Sequence, residues 1–256
     1  MAFLYLSPST QEYNPYVNGG NEEYYMNLLA DELEPYLHAS GISFTRNTPN
    51  MTAATSIAAS NAGDYDLHLA LHSNATAGDQ AGTTTGIDLY YNPESAESLR
   101  AAQLIQQQLK TVYPDPTKVA IVPTTSLGEV YKVRAPGVLA ELGYHDNPSD
   151  ADWIRNNLPA IARSLARAVT EFFGLPFLEP QAPRVGVVDL NWGVLNLRAA
   201  PSTSAPIVAQ CYDGAQLTVE RVSELVRGGV ERAGRIRLAG LCGRPVDMID
   251  FVISFV

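Results

Sequence analysis

The stretch DYDLHLALHSNATA, residues 64–77, carries two of the four histidines in the chain, His68 and His72. Two histidines four residues apart raise the question of a shared metal ion. Read as a strand, however, the stretch separates them by about 13 Å at ~3.3 Å per residue, too far for one ion. His72 falls where the apolar run ends and the polar SNATAG loop begins, so it is the candidate ligand. His68 lies inside the run and reads as a buried, hydrogen-bonded core histidine. Two carboxylates join His72. Glu22 follows the Gly-rich VNGGN and opens a helix, where an acid also complements the helix dipole. Glu141 is embedded in VLAELGY, and desolvation among apolar neighbours would push its pKa toward the range a general base needs. A catalytic zinc site takes three protein ligands and leaves one position for water, so the partners of His72 must come from other elements.

Those elements are legible in the pattern. FLYL at 3–6 reads as a short buried strand, and NEEYYMNLLADELEPYLHASGI places Tyr25, Met26, Leu29, Leu33 and Leu37 on one helical face, with Gly41 as its stop. ISFTRN is a second strand, TAATSIAASNAG is compatible with a helix, and YDLHLALHS is a third strand, apolar on both faces as buried parallel strands are. Strand 86–92, helix 95–113, strand 137–144 and helix 150–174 continue the alternation. The expected class is α/β, a mostly parallel sheet with helices on both faces, with ligands bound beyond the C-terminal strand ends.

The composition changes at LPFLEPQAPR, residues 175–184, with a Pro-rich connector over 177–184, after which short strands punctuated by Gly, Pro and Asp predict a small all-β module over 185–256. The 256 residues are 46% apolar, enough for a sizeable core. With 27 acidic against 17 basic side chains, the chain has no cationic footprint for nucleic acid or anionic membranes. No stretch reads as a membrane span or an export signal. Cys211 and Cys242 are too far apart for a C-x-x-C site and are either free or bridged.

Taken in order, the NEE that opens a helix, HLALHSNA, and GVLAELGYHDNPSDADWI before a last helix resemble the zinc-dependent N-acetylmuramoyl-L-alanine amidases of the amidase-3 type, over residues 1–176. The resemblance implies that Glu22, rather than Glu23, and His72 are metal ligands and that Glu141 is the catalytic glutamate. In such enzymes zinc activates a water, the glutamate takes its proton, and the lactyl carbonyl of the MurNAc–L-Ala amide is attacked. The chain departs from the family in one place. Where a histidine ligand usually follows the first strand, it has LSPSTQEYN, so Gln11, Glu12 or a water must fill that position. Gln11 is preferred, although a neutral oxygen holds zinc more weakly than imidazole. His145, at the exit of its strand, reads as a surface or capping residue in preference to a transition-state donor.

The tail segment GVLNLRAAPSTSAPIVAQCYDGAQLTV resembles bacterial SH3 domains, with Trp192 and Tyr212 as a binding face or as core. The expectation is a monomeric peptidoglycan hydrolase with a zinc cofactor that works at the cell wall, secreted or released as a phage endolysin. The competing expectation is a wall-binding protein that keeps the amidase fold with an inactive or remodelled site.

Overall fold

The computed structural model describes residues 2–180, 184–188, 193–198, 206–222, 234–237, 245–248 and 253–255. The chain divides into two compact units, Met1–Pro180 and Gln181–Val256.

The first unit is built on six strands, β1 (Phe3–Pro8), β2 (Ser43–Arg46), β3 (Leu67–Asn74), β4 (Ile87–Tyr91), β5 (Val119–Pro123) and β6 (Gly137–Tyr144). They form one sheet in the order β2-β1-β3-β6-β4-β5. The first four in that order are mutually parallel; β4 pairs antiparallel with β6, and β5 follows β4 in parallel, so the two strands at one edge run against the rest. The fold is therefore α/β with a mostly parallel sheet, as the alternation predicts. The antiparallel edge, strand β5 and a short helix after it were not legible in the pattern.

Alternation along β1, β3 and β6 gives the sheet two different faces. Leu4, Leu6, Leu67, Leu69, Leu71, Val138, Ala140 and Leu142 are fully buried in one continuous core. Three helices contribute to that core: α1 (Glu22–Ala39), α3 (Ala96–Leu109) and α5 (Pro148–Phe172). The predicted face of α1 is the buried one, and Gly41 takes a left-handed φ of 78° just past its end. The intervening residues face the other way, and the register sets Tyr5 beside His68, Ser7 beside Ala70, and His72 beside Glu141. This polar face is covered by α2 (Ala53–Ala62) and the four-residue α4 (Gly128–Tyr131).

Gly137 explains how α4 comes so close. A Cβ there would lie 2.8 Å from the Glu129 carbonyl oxygen and 2.9 Å from that of Val130, so only glycine lets the helix sit against β6. Asp150, in the first turn of α5, fixes the loops at the same sheet edge. Its carboxylate accepts from the Gly86 and Tyr144 amides at 3.0 and 2.9 Å and from the Tyr113 hydroxyl at 2.6 Å.

The second unit contains β7 (Arg184–Val188), β8 (Leu195–Arg198), β9 (Ile207–Cys211), β10 (Gln216–Val222), β11 (Gly234–Arg237), β12 (Pro245–Met248) and β13 (Ile253–Phe255), in the sheet order β13-β7-β10-β11-β12-β8-β9. All of its described pairings are antiparallel. Tyr212 is exposed, and Trp192 and Cys242 lie outside the described residues.

Candidate active site

The site lies at the C-terminal ends of β1, β3 and β6 and is centred on His72. Its two ring nitrogens face opposite walls. Nδ1 is 2.8 Å from Glu22 Oε1 and 3.3 Å from the Gln11 side-chain nitrogen; Nε2 is 3.0 Å from Glu129 Oε2. Glu22 is 1% exposed at the start of α1, where Asn21 caps the helix by accepting from the Tyr24 amide. Asn14 donates to Glu22 Oε2 at 2.6 Å and to Gln11 Oε1 at 3.3 Å, which ties the loop after β1 to the helix start. The Tyr13 hydroxyl also donates to Gln11 Oε1, at 3.2 Å.

Glu141 sits next to His72 across the β3–β6 pairing. Its Oε2 is buried with no hydrogen-bond partner. Burial pushes its carboxyl up to about 7, helped by the nearby charges of Glu22, Asp88 and Glu129 and opposed by His72. Glu22 and Glu129 move the other way. Burial alone would raise both, but for Glu22 the bonds from His72 and Asn14, and for Glu129 the nearby His68 and the bond from His72, hold the carboxyls below the usual range. Burial would likewise lower His72, yet its hydrogen bonds to Glu129 and Glu22 keep the imidazolium favoured well above the ordinary histidine range. The carboxylates at the site thus differ in kind: two are held ionised, and one is poised near neutrality.

The residues expected from the sequence are brought together: Gln11, Glu22 and His72 meet within hydrogen-bonding distance, and Glu141 stands beside them. His68 is fully buried, stacks on Tyr5 at 5.1 Å, and has Nδ1 2.9 Å from Ser60 Oγ, so it is the core histidine predicted. His145 is not a surface residue. It is 5% exposed, its Nδ1 is 2.8 Å from the Ser73 carbonyl oxygen, and its ring stacks on Tyr16 at 5.4 Å; tertiary packing at the strand exit encloses it. Glu129 was missed. It sits on a helix too short to show a period, and the one signal available was an acid set among apolar residues in SLGEVYKV, the argument that identified Glu141.

A cleft of about 540 Å³ leads to His72 and Glu129 between the loop after β1 and the N-terminal end of α2, with Gln11, Tyr13, Met51 and Thr52 on its walls. A family model described as Amidase_3, N-acetylmuramoyl-L-alanine amidase, matches residues 10–171, well over half of the chain. The chain belongs to the N-acetylmuramoyl-L-alanine amidase family. Solved amidases have a similar fold. The amidase AmiC2 of Nostoc punctiforme is 13% identical, with a TM-score of 0.59 over 68% of this chain and 97% of its own. The catalytic domain of the amidase CwlV from Bacillus (Paenibacillus) polymyxa var. colistinus is 13% identical, with a TM-score of 0.59 over 69% of this chain and 100% of its own. The catalytic domain of an endolysin targeting Clostridia difficile is 20% identical, with a TM-score of 0.55 over 67% of this chain and 98% of its own. No curated protein matches the sequence.

The donor set of this amidase can be tested against a tetrahedral ion. Bonds of about 2.0–2.1 Å put neighbouring ligand atoms about 3.3 Å apart. Glu22 Oε1 and the Gln11 amide nitrogen lie 2.8 and 3.3 Å from the same ring nitrogen, His72 Nδ1, so both groups stand on that side of the ring. Among the described residues no three His, Cys, Asp or Glu side chains gather as a ligand set, because the third donor here is an amide. Gln11 turns its nitrogen toward His72 and its oxygen toward Tyr13 and Asn14, so serving as a ligand requires a half-turn of that amide. That rotation would bring Glu22 Oε1, His72 Nδ1 and the Gln11 oxygen together as three donors for a divalent ion, and it would turn the Gln11 amide nitrogen toward the Asn14 side-chain nitrogen, so Asn14 must shift with it.

Proposed function

We propose that the chain is a zinc-dependent peptidoglycan amidase that cleaves the amide between MurNAc and the L-Ala of the stem peptide. Glu22, His72 and the Gln11 amide oxygen are the metal ligands, and Glu141 is the general base. The observation that carries this reading is the Glu141 carboxyl beside His72: its Oε2 is buried without a partner, and in the metal-free protein burial pushes the group up to about 7. A carboxyl tied up in an ion pair cannot take a proton at neutral pH; one poised near 7 can both take it and return it.

Zinc, when bound, supplies a Lewis acid that polarises the scissile carbonyl and makes an attacking water more acidic. The protein groups do the rest. Glu141 accepts the proton of the attacking water and passes it to the alanine nitrogen as the amide bond breaks. Asn14 holds Glu22 in place through its 2.6 Å bond. The cleft that ends at His72 gives the muramyl-peptide its approach. The antiparallel C-terminal unit is read as an SH3-like module that retains the enzyme on the wall, where the chain acts as an autolysin or endolysin.

Digestion of purified sacculi followed by mass spectrometry tests the reading. Stem peptides with a free L-Ala amino terminus should be released, chelator should stop their release and zinc restore it, and Glu141→Ala should abolish it in a folded protein. Cleavage at any other bond, or full metal-dependent activity in Glu141→Ala, would refute the assignment.

A further inference from the structure

The two histidines that sequence spacing keeps apart are joined by a residue from another element. Glu129 of α4 places Oε2 3.0 Å from His72 Nε2, and its Oε1 lies 3.4 Å from His68 Nε2. Ser7 Oγ donates to the same Oε1 at 2.5 Å. His68 is itself fixed by Ser60 and by stacking on Tyr5. The Glu129 carboxylate, 6% exposed, is therefore held by Ser7 at one oxygen and His72 at the other, with His68 close by.

We infer that Glu129 is a positioning residue for the metal site: it holds His72 Nε2–H so that Nδ1 is the atom turned toward Glu22 and Gln11. The inference rests on the metal-dependent reading above. A carboxylate stands at each ring nitrogen, Glu22 Oε1 2.8 Å from Nδ1 and Glu129 Oε2 3.0 Å from Nε2, and the one further donor, Gln11, is on the Nδ1 side. An ion taken up between Glu22 and Gln11 therefore displaces the Nδ1 proton, and the imidazole keeps its remaining N–H at Nε2, on Glu129. Such a buried carboxylate fixes the tautomer and ring orientation and makes the ligating nitrogen more basic. That help matters more in this chain than where a third ligand is imidazole, because Gln11 contributes only a neutral oxygen. The fully buried His68 stands behind Glu129, its Nε2 3.4 Å from Oε1 without a hydrogen bond.

The experiment measures zinc affinity of the full chain by chelator competition, together with ring nitrogen and proton NMR of His72. In the wild type, zinc should bind through Nδ1, and Nε2 should keep a hydrogen-bonded proton. Glu129→Gln should bind zinc about 10–100-fold more weakly, and Ser7→Ala, which removes one anchor of Glu129, should show a smaller loss in the same direction. Melting curves of the metal-free proteins separate positioning from packing: a merely structural role would shift those melts and leave the affinity of the folded protein alone. Wild-type zinc affinity in Glu129→Gln, or zinc bound through Nε2, would overturn the inference while leaving the amidase reading intact. A wild-type chain that takes up no zinc would overturn the metal-dependent reading and the inference with it.

Discussion

Replacing Glu141 with Gln should cost activity and add stability, and the size of the gain should depend on pH. Burial raises the Glu141 carboxyl from 4.5 to about 7 in the fold. Below pH 4.5 the group is protonated both folded and unfolded, and its burial carries no ionisation cost. Between 4.5 and 7 the unfolded chain gives up the proton while the folded protein keeps it, so the native state binds more protons and stability falls as pH rises. Above 7 the loss is complete. At about 1.4 kcal/mol per pH unit, the gap is worth about 3 kcal/mol. Glu141→Gln removes that titration, together with the charge that the ionised carboxylate places on His72, Glu22, Asp88 and Glu129. The assay is urea unfolding of wild type and Glu141→Gln in the presence of chelator at several values from pH 4 to 8, because a bound cation beside Glu141 would lower its pKa and shrink the effect. The Gln variant should gain on the wild type by about 3 kcal/mol between pH 4 and 8, while release of stem peptide with zinc present falls by about 10²–10⁴-fold. A stability difference that stays flat over that range would mean Glu141 titrates as an ordinary carboxylate, and the argument for it as base would fail.

Further outcomes follow from the same geometry. Gln11→His should tighten zinc binding and Gln11→Ala weaken it, both by chelator competition; if neither moves, Gln11 is not a ligand. Gly137→Ala forces a Cβ to 2.8 Å from the Glu129 carbonyl oxygen, and should destabilise the fold by about 1–3 kcal/mol in thermal melts and lower activity through the displaced α4. Asp150→Ala strands the Gly86 and Tyr144 amides and the Tyr113 hydroxyl, and should cost about 3 kcal/mol in urea unfolding without changing zinc affinity. A chain ended after Pro180 should still release stem peptide from soluble fragments but sediment less with insoluble wall; equal sedimentation would remove the wall-binding role from the second unit.

The sequence was legible where a period or a special backbone residue ran through a long element. Leu29, Leu33 and Leu37 predict the buried face of α1, Gly41 predicts its end, and β3, rich in apolar residues on both faces, predicts a strand buried on both sides. His72 and Glu141 stand out because a polar residue at the border of, or inside, an apolar element contradicts its surroundings, whereas Glu22 is singled out over Glu23 only by the family resemblance and its register with Met26, Ala30 and Leu33. The stretch from 114 to 136 resisted. Strand β5 spans five residues and α4 only four, too short for a helical or strand period to declare itself. Whether β4 runs with or against β6 depends on tertiary contacts that no local pattern encodes. His145 was misread because exposure was inferred from its place at a strand exit, where Tyr16 in fact covers it.

Spacing along one strand sets a limit on what two side chains can share directly, and it sets none on what a third group can join. The distance along β3 rules out a common ion for His68 and His72, but a carboxylate has two oxygens about 2 Å apart and approaches from above the sheet rather than along it. Glu129 uses both, one toward each ring. Its ability to do so traces to Gly137 on a neighbouring strand, which lets a four-residue helix sit directly on β6. The competence of the His72 site therefore depends on a pair far apart in sequence, an acid in one short element and a missing side chain beneath it. Variants at Glu129 and Gly137 should consequently be non-additive for zinc affinity: once Glu129 is Gln, Gly137→Ala has little left to displace. Additive losses in that double-mutant cycle would show that the two act on the site independently.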